Sequence, residues 1–166
     1  LAESGASKVK ELREQTGAGI MDCKRALDQT GGDLVKASEI LKEQGLAKAA
    51  NKGARVAGQG LVESYIHAGG RIGSMVEVNC ETDFVARTDD FKRLAHDVAM
   101  QVAATNPRFV GNEEDLPADV PEEEILMKQP FIKDGSASIE DLVKNAISKM
   151  SENIVIRRFA RFELGA

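Results

Sequence analysis

The chain has no tryptophan, one tyrosine and two histidines, and aromatic residues make up 4% of its 166 positions. Its only cysteines, Cys23 and Cys80, stand in unrelated contexts. They form no Cys-x-x-Cys and no disulfide framework, so a reducing compartment is expected. His67 and His96 lack any ligand spacing such as His-Glu-x-x-His, and each reads as a surface or structural residue. No apolar run approaches the ~18 residues of a membrane span, and no segment reads as a signal peptide. The chain begins at Leu rather than Met, which gives the expectation that a leader or upstream segment has been removed.

Motifs for chemistry are missing as well. "TGAG" (16–19) lacks the third glycine of Gly-x-Gly-x-x-Gly and does not follow a strand. There is no Walker lysine pattern, no Gly-x-Ser-x-Gly and no assembled Cys/His/Asn set. The acidic run Glu122–Glu124 reads as solvated surface. The expectation is a non-enzyme with no cofactor and no metal. A net charge of −5 argues against nucleic acid as the main partner, because phosphate binding favours a basic surface.

Residues 7–52 carry helical periodicity. Ser7 is a candidate N-cap for "KVKELREQT", with Gly17 as its stop. "MDCKRALDQT" runs into Gly31-Gly32, and Asp33 can cap "LVKASEILKEQ", which Gly45 would end. Val9, Leu12, Ala26, Leu27, Leu34, Ala37, Ile40 and Leu41 are spaced to share one small core. "AKAANKGARVAGQG" reads as a further helical turn that becomes a linker.

The period changes near residue 60. "GLVESYIH" and "RIGSMVEVNCE" are strand-like and flank Ala68-Gly69-Gly70, a hairpin signal. "TDDFKRLAHDVAMQVAAT" is amphipathic, with Phe91, Leu94, Ala95, Val98 and Val102 on one stripe. Residues 106–124 hold three of the four prolines and read as a loop. "ILMKQPFI" reads as a short edge strand, "SIEDLVKNAISKM" as a helix and "NIVIRRFARFEL" as a closing strand. In that strand Ile154, Ile156, Ala160, Phe162 and Leu164 are expected on one face, and Arg157, Phe159, Arg161 and Glu163 on the other. The fold class is α+β: a small three-helix bundle over residues 1–53, then an α+β unit over residues 54–166 with an antiparallel sheet packed by helices.

Two stretches resist a purely structural account. In "LREQTGAGIMDCK" (12–24), Ile20 and Met21 are adjacent bulky residues at a glycine-rich corner, and both cannot point into one small core. In "VEVNCETDFVARTDDF" (76–91), Phe84 follows an acidic residue where a strand gives way to a helix. Phe84, Phe91 and Val98 are spaced seven apart, which favours a core position. Thr82 or Asp83 as N-cap would instead put Phe84 at an exposed helix mouth. The residues alone leave both readings open.

"LREQTGAGIMDCKRAL" and "EVNCETDFVAR" resemble the two signature stretches of the elongation factor Ts family, guanine nucleotide exchange factors for elongation factor Tu. "GLVESYIHAGGRIG" and "SENIVIRRFARFELG" are also similar to that family, and the likeness is to its short bacterial and plastid forms. The resemblance implies a ubiquitin-associated-like N-terminal bundle that docks on a helix of the GTPase through Arg13, Ile20 and Met21. It implies that Thr82, Asp83, Phe84 and Val85 also bind the GTPase, with Phe84 wedged between two of its helices near the magnesium and phosphate site and Asp83 hydrogen bonding. It also implies a homodimer or a heterotetramer with the GTPase, in the bacterial cytoplasm or plastid stroma. Family members commonly carry a charged helical segment after the proline-rich loop. Here Glu122–Glu124 run straight into Ile125. A competing reading is an RNA-binding module that uses the basic and aromatic strand 157–162, "RRFARF". A third, a ubiquitin-type adaptor, rests on the helical bundle alone.

Overall fold

The computed structural model describes residues 5–50, 52–112 and 116–166, apart from the side chains of residues 46 and 48–50. Asn51 in the linker, residues 113–115 in the proline-rich loop and the Leu1 start lie outside the described residues. The elements in chain order are helices α1 (Gly5–Thr16), α2 (Ile20–Gln29) and α3 (Leu34–Ala50), then strands β1 (Gln59–Ile66) and β2 (Ile72–Cys80). Helices α4 (Asp83–Ala86) and α5 (Asp89–Thr105) follow, then two short 3-10 turns at Glu122–Glu124 and Leu126–Lys128. Strands β3 (Pro130–Phe131) and β4 (Asp134–Ser138), helix α6 (Ile139–Met150) and strand β5 (Val155–Glu163) complete the chain.

Leu12, Cys23, Ala26, Leu27, Ala37 and Leu41 form the buried cluster of the three N-terminal helices, with Val9, Ala18, Leu34 and Ile40 packed against it. Asp33 caps α3 as expected, its carboxylate accepting the amides of Val35 and Lys36 at 3.1 Å. Two expectations fail here. Helix α1 already runs at Gly5, so Ser7 lies inside it and is no cap. Gly45 does not end α3, which continues to Ala50. A glycine costs helix stability, but a Cβ at Gly45 would collide with the Ser148 hydroxyl of α6. Gly45 is therefore a point of close helix approach.

The main sheet is antiparallel with strand order β1-β2-β5. Central β2 turns Ser74, Val76, Val78 and Cys80 inward. Against them lies the α5 stripe of Phe91, Leu94, Ala95, Val98, Ala99 and Val102. Small Ala95 and Ala99 let the helix sit close, and the Ser74 hydroxyl donates to the Ala99 carbonyl at 2.6 Å. Helix α6 covers the rest with Ile139, Val143, Ala146 and Ile147. It opens with a reciprocal cap between Ser138 and Asp141.

The face assignment of the closing strand is corrected by one extra residue. Glu77 lies opposite Arg158 and Val78 opposite Ile156, so Arg157 is a bulge. A bulge flips every later side chain to the other face. Ile154 and Ile156 are buried as expected, but beyond the bulge it is Phe159 that packs on the core, while Phe162 and Leu164 are exposed. The "ILMKQPFI" strand is likewise reduced to Pro130–Phe131, paired with β4 in a separate two-stranded sheet. The buried Gln101 side chain holds that segment. It donates to Gln129 Oε1 and the Pro130 carbonyl, both at 3.1 Å, and accepts the Ile132 amide at 3.0 Å. Those polar contacts draw the chain off an extended path.

Candidate docking site

Phe84 is 77% exposed. Its position follows from the local cap. Thr82 is extended (φ −126°, ψ 152°), and its hydroxyl accepts the Val85 amide at 3.3 Å, starting the single turn of α4. Val85, third after the cap, falls inward and is 7% exposed. Phe84, one residue earlier, is carried about 100° around the turn and faces out. Asp83 is also exposed and forms an ion pair with Arg87 at 2.7 Å. Of the residues the resemblance groups together, Thr82, Asp83 and Phe84 share one exposed turn, whereas the Val85 side chain belongs to the chain's own core.

The turn is held from behind. The Glu152 carboxylate accepts the amides of Glu81 and Thr82, each at 3.1 Å, and the Thr82 hydroxyl at 2.6 Å. In return Glu81 accepts the Asn153 amide at 2.7 Å. The buried Cys80 thiol donates to the Thr82 carbonyl at 3.1 Å. Burial, and then the neighbouring Glu152 carboxylate, push the thiol's pKa up and keep the donated proton in place.

The N-terminal corner is built in a similar way. Gly17 reverses the chain at φ +68° and donates its amide to the Arg13 carbonyl at 2.8 Å. Helix α2 then opens with Ile20 and Met21, 55% and 68% exposed. Both side chains face out, which goes beyond the expectation that at least one would. Arg13, Ile20, Lys8 and Lys24 border a largely apolar groove of about 860 Å³ between α1 and α2, with Leu27 in its wall. The buried Cys23 thiol backs this corner, near the Ala18 carbonyl at 3.7 Å. Nothing in the spacing of Cys23 and Cys80 foretold that each supports an exposed turn. Burial next to a glycine or threonine turn was the available signal.

The end of α6 lies behind both places. A Cβ at Gly17 would meet Lys149 Cγ at 3.0 Å, and the Lys149 ammonium pairs with Asp90 at 2.9 Å. Two residues past Ser151, Asn153 donates to the Arg55 carbonyl at 2.7 Å.

The basic and aromatic strand does not assemble a base-stacking platform. Phe159 packs on the core, and Arg161 is tied to the Ala103 carbonyl at 3.0 Å and to Glu163 at 2.7 Å. Arg158 pairs with Glu77 at 2.7 Å, leaving Phe162 on the open face. Beside that ion pair, Val62, Ile66, Met75 and Phe162 are all exposed on the same face. Among the described residues no group of three His, Cys, Asp or Glu side chains could hold a metal ion. No described helix is long and apolar enough to cross a membrane.

Exposed apolar side chains on both turns are candidates for contact with another macromolecule. Comparison with known proteins shows the family. A family model described as Elongation factor TS matches residues 45–129. Elongation factor Ts of Syntrophomonas wolfei is 51% identical over 193 aligned positions, covering 96% of this chain and 90% of that protein. That of Carboxydothermus hydrogenoformans is 50% identical, covering 95% and 87%. That of Coprothermobacter proteolyticus is 46% identical, covering 98% and 99%. The chain belongs to the elongation factor Ts family and so to the translation elongation factors. The 193 aligned positions outnumber the chain's 166 residues, so the Syntrophomonas relative carries residues that this chain lacks.

Proposed function

We propose that the chain is a guanine nucleotide exchange factor that promotes GDP release from elongation factor Tu. The observation that carries this reading is the exposure of Phe84 on a turn braced by Glu152. An aromatic side chain left in water wastes burial worth roughly 1.5–3 kcal/mol, and a rigid turn adds little ordering cost when the ring enters a partner. Phe84 enters between two GTPase helices near the magnesium and phosphate site, and Asp83 assists by hydrogen bonding once released from Arg87. Thr82 and Val85 hold the turn from the cap and from the core. Arg13, Ile20 and Met21 form a second contact on a GTPase helix, and residues 1–53 act as a docking module attached to the α+β unit of residues 54–166. The separate apolar cluster of the N-terminal helices supports that division.

Exchange of this kind asks for no acid, base or metal from the factor. A ligand shifts an equilibrium only through differential affinity. A factor that binds the nucleotide-free GTPase more tightly than the GDP-bound form weakens GDP by the same ratio. The open sheet face around Val62, Ile66, Met75 and Phe162 is the surface for a second copy, giving a homodimer or a heterotetramer with two GTPases. The compartment is that of bacterial-type translation, the bacterial cytoplasm or plastid stroma. The test is release of fluorescent GDP from elongation factor Tu with and without the chain. Accelerated release supports the reading, and an unchanged rate at saturating chain rejects it.

A further inference from the structure

The braced turn raises the question of which residue outside the exposed motif sets its geometry. Glu152 lies far along the sequence, beyond α6, yet its carboxylate takes three hydrogen bonds from Glu81 and Thr82. No other described side chain is shown with so many bonds to this turn. Ser151 makes the approach feasible. As the C-cap of α6 it adopts a left-handed conformation (φ +60°, ψ 22°), with its amide on the Ile147 carbonyl at 2.9 Å. That reversal brings Glu152 and Asn153 to the end of β2. The grip is reciprocal, because Glu81 accepts the Asn153 amide at 2.7 Å and pairs with Arg55 at 3.4 Å.

We infer that Glu152 is a positioning residue for nucleotide exchange, holding Thr82 so that Phe84 is presented ready to insert. The inference rests on the exchange reading and deepens it. The same Thr82 hydroxyl that donates to Glu152 accepts the Val85 amide. Its proton is therefore directed at the carboxylate and its lone pair at the helix. Losing the carboxylate frees that proton to rotate, weakens the cap and unpins two backbone amides at the base of α4. Phe84 would then sample several orientations, and the GTPase would have to select the competent one, lowering apparent affinity by the competent fraction. The bonds are charge-assisted, and such bonds are about twice as strong as neutral ones. Among the described residues the second patch shows no such link to Glu152, so Met21 contacts should be unaffected.

The experiment is a double-mutant cycle on stimulated GDP release from elongation factor Tu, using the full chain. Glu152→Ala should slow release about tenfold at subsaturating factor. In a Phe84→Ala background it should have almost no further effect, because it acts through that ring. A Met21→Ala background should instead show independent, multiplicative losses. Hydrogen exchange should quicken at the Glu81 and Thr82 amides but stay unchanged at the core amides of α5 and β2. A residue that merely stabilises the fold would give equal losses in both backgrounds. If Glu152→Ala fails to fold, Glu152→Gln, which keeps one acceptor oxygen and the same shape, takes its place with a loss of about threefold. A wild-type chain that leaves GDP release unchanged overturns the exchange reading itself, whereas a fully active Phe84→Ala overturns the insertion of Phe84 and with it the positioning role. An impaired Phe84→Ala beside a fully active Glu152→Ala, or equal losses from Glu152→Ala in all backgrounds, overturns only the positioning role.

Discussion

The one-turn helix α4 and the long helix α5 both begin with a threonine followed by an aspartate. In each, the threonine hydroxyl accepts the amide of the third residue after it, Val85 in α4 and Phe91 in α5, at 3.3 Å. In both helices that third position is buried: Val85 is 7% exposed and Phe91 0%. The difference lies in where the phenylalanine stands. "TDFV" places it second and "TDDF" places it third. One residue, about 100° of helix rotation, separates a ring in the core from a ring in water. Identical caps therefore leave a buried aromatic in one helix and an exposed aromatic in the other.

Truncating the two rings separates the buried position from the exposed one. Phe91→Ala should cost about 3–5 kcal/mol of stability, the sum of lost burial and a cavity, read by urea unfolding. A loss below about 1 kcal/mol would show that the core does not depend on the third position. Phe84→Ala should leave unfolding almost unchanged while slowing stimulated GDP release roughly 30-fold, equivalent to about 2 kcal/mol at an interface. Val85→Ala should fall between them. It removes buried methyl groups for about 1–2 kcal/mol of stability and loosens the turn, with a modest loss of exchange. Thermal melting beside exchange separates the two effects.

Met21→Ala should weaken binding by about 1–2 kcal/mol with the melting temperature nearly unchanged. A drop of several degrees with affinity intact would put Met21 to structural use in the bundle. The smallest expected effect belongs to the cap of α6. Ser138→Ala should cost about 1 kcal/mol at neutral pH. Hydrogen bonds first from the Ser138 amide and then from its hydroxyl hold Asp141 below its usual carboxylate pKa. A carboxyl depressed in the folded state stabilises above its unfolded pKa, and the contribution fades as pH falls through the folded one. The Ser138→Ala penalty should therefore shrink on acidification below the ordinary aspartate range, as read from unfolding curves across that interval.

Much of the architecture could be read in the residues. The hairpin around Gly69-Gly70, the α5 stripe and the Asp33 cap follow from periods and turn chemistry that act over a few positions. Three of the corrections share a cause: each depends on a partner distant in sequence. Gly45 resembles a helix stop until Ser148 is seen packed against it. The β5 alternation looks regular until β2 imposes a bulge at Arg157. The ILMKQPFI segment looks extended until Gln101 gathers its backbone. At the docking site, the exposure of Ile20 follows from crowding at a small corner. Phe84 is ambiguous in the sequence because its seven-residue spacing with Phe91 and Val98 competes with a cap at Thr82 or Asp83. Counting from Thr82 decides it, since α4 ends at Ala86 and does not share the α5 register. Glu152 had no local signal, because its role exists only where the end of α6 meets the end of β2.

The central claim is that Phe84 is kept out of this chain's core for insertion into a partner. Its most direct test is the rate constant for release of fluorescent GDP from elongation factor Tu, stimulated by Phe84→Ala and measured beside that variant's urea unfolding curve. The account predicts a normally stable protein whose stimulation falls roughly 30-fold. Wild-type stimulation from a normally stable Phe84→Ala would contradict it.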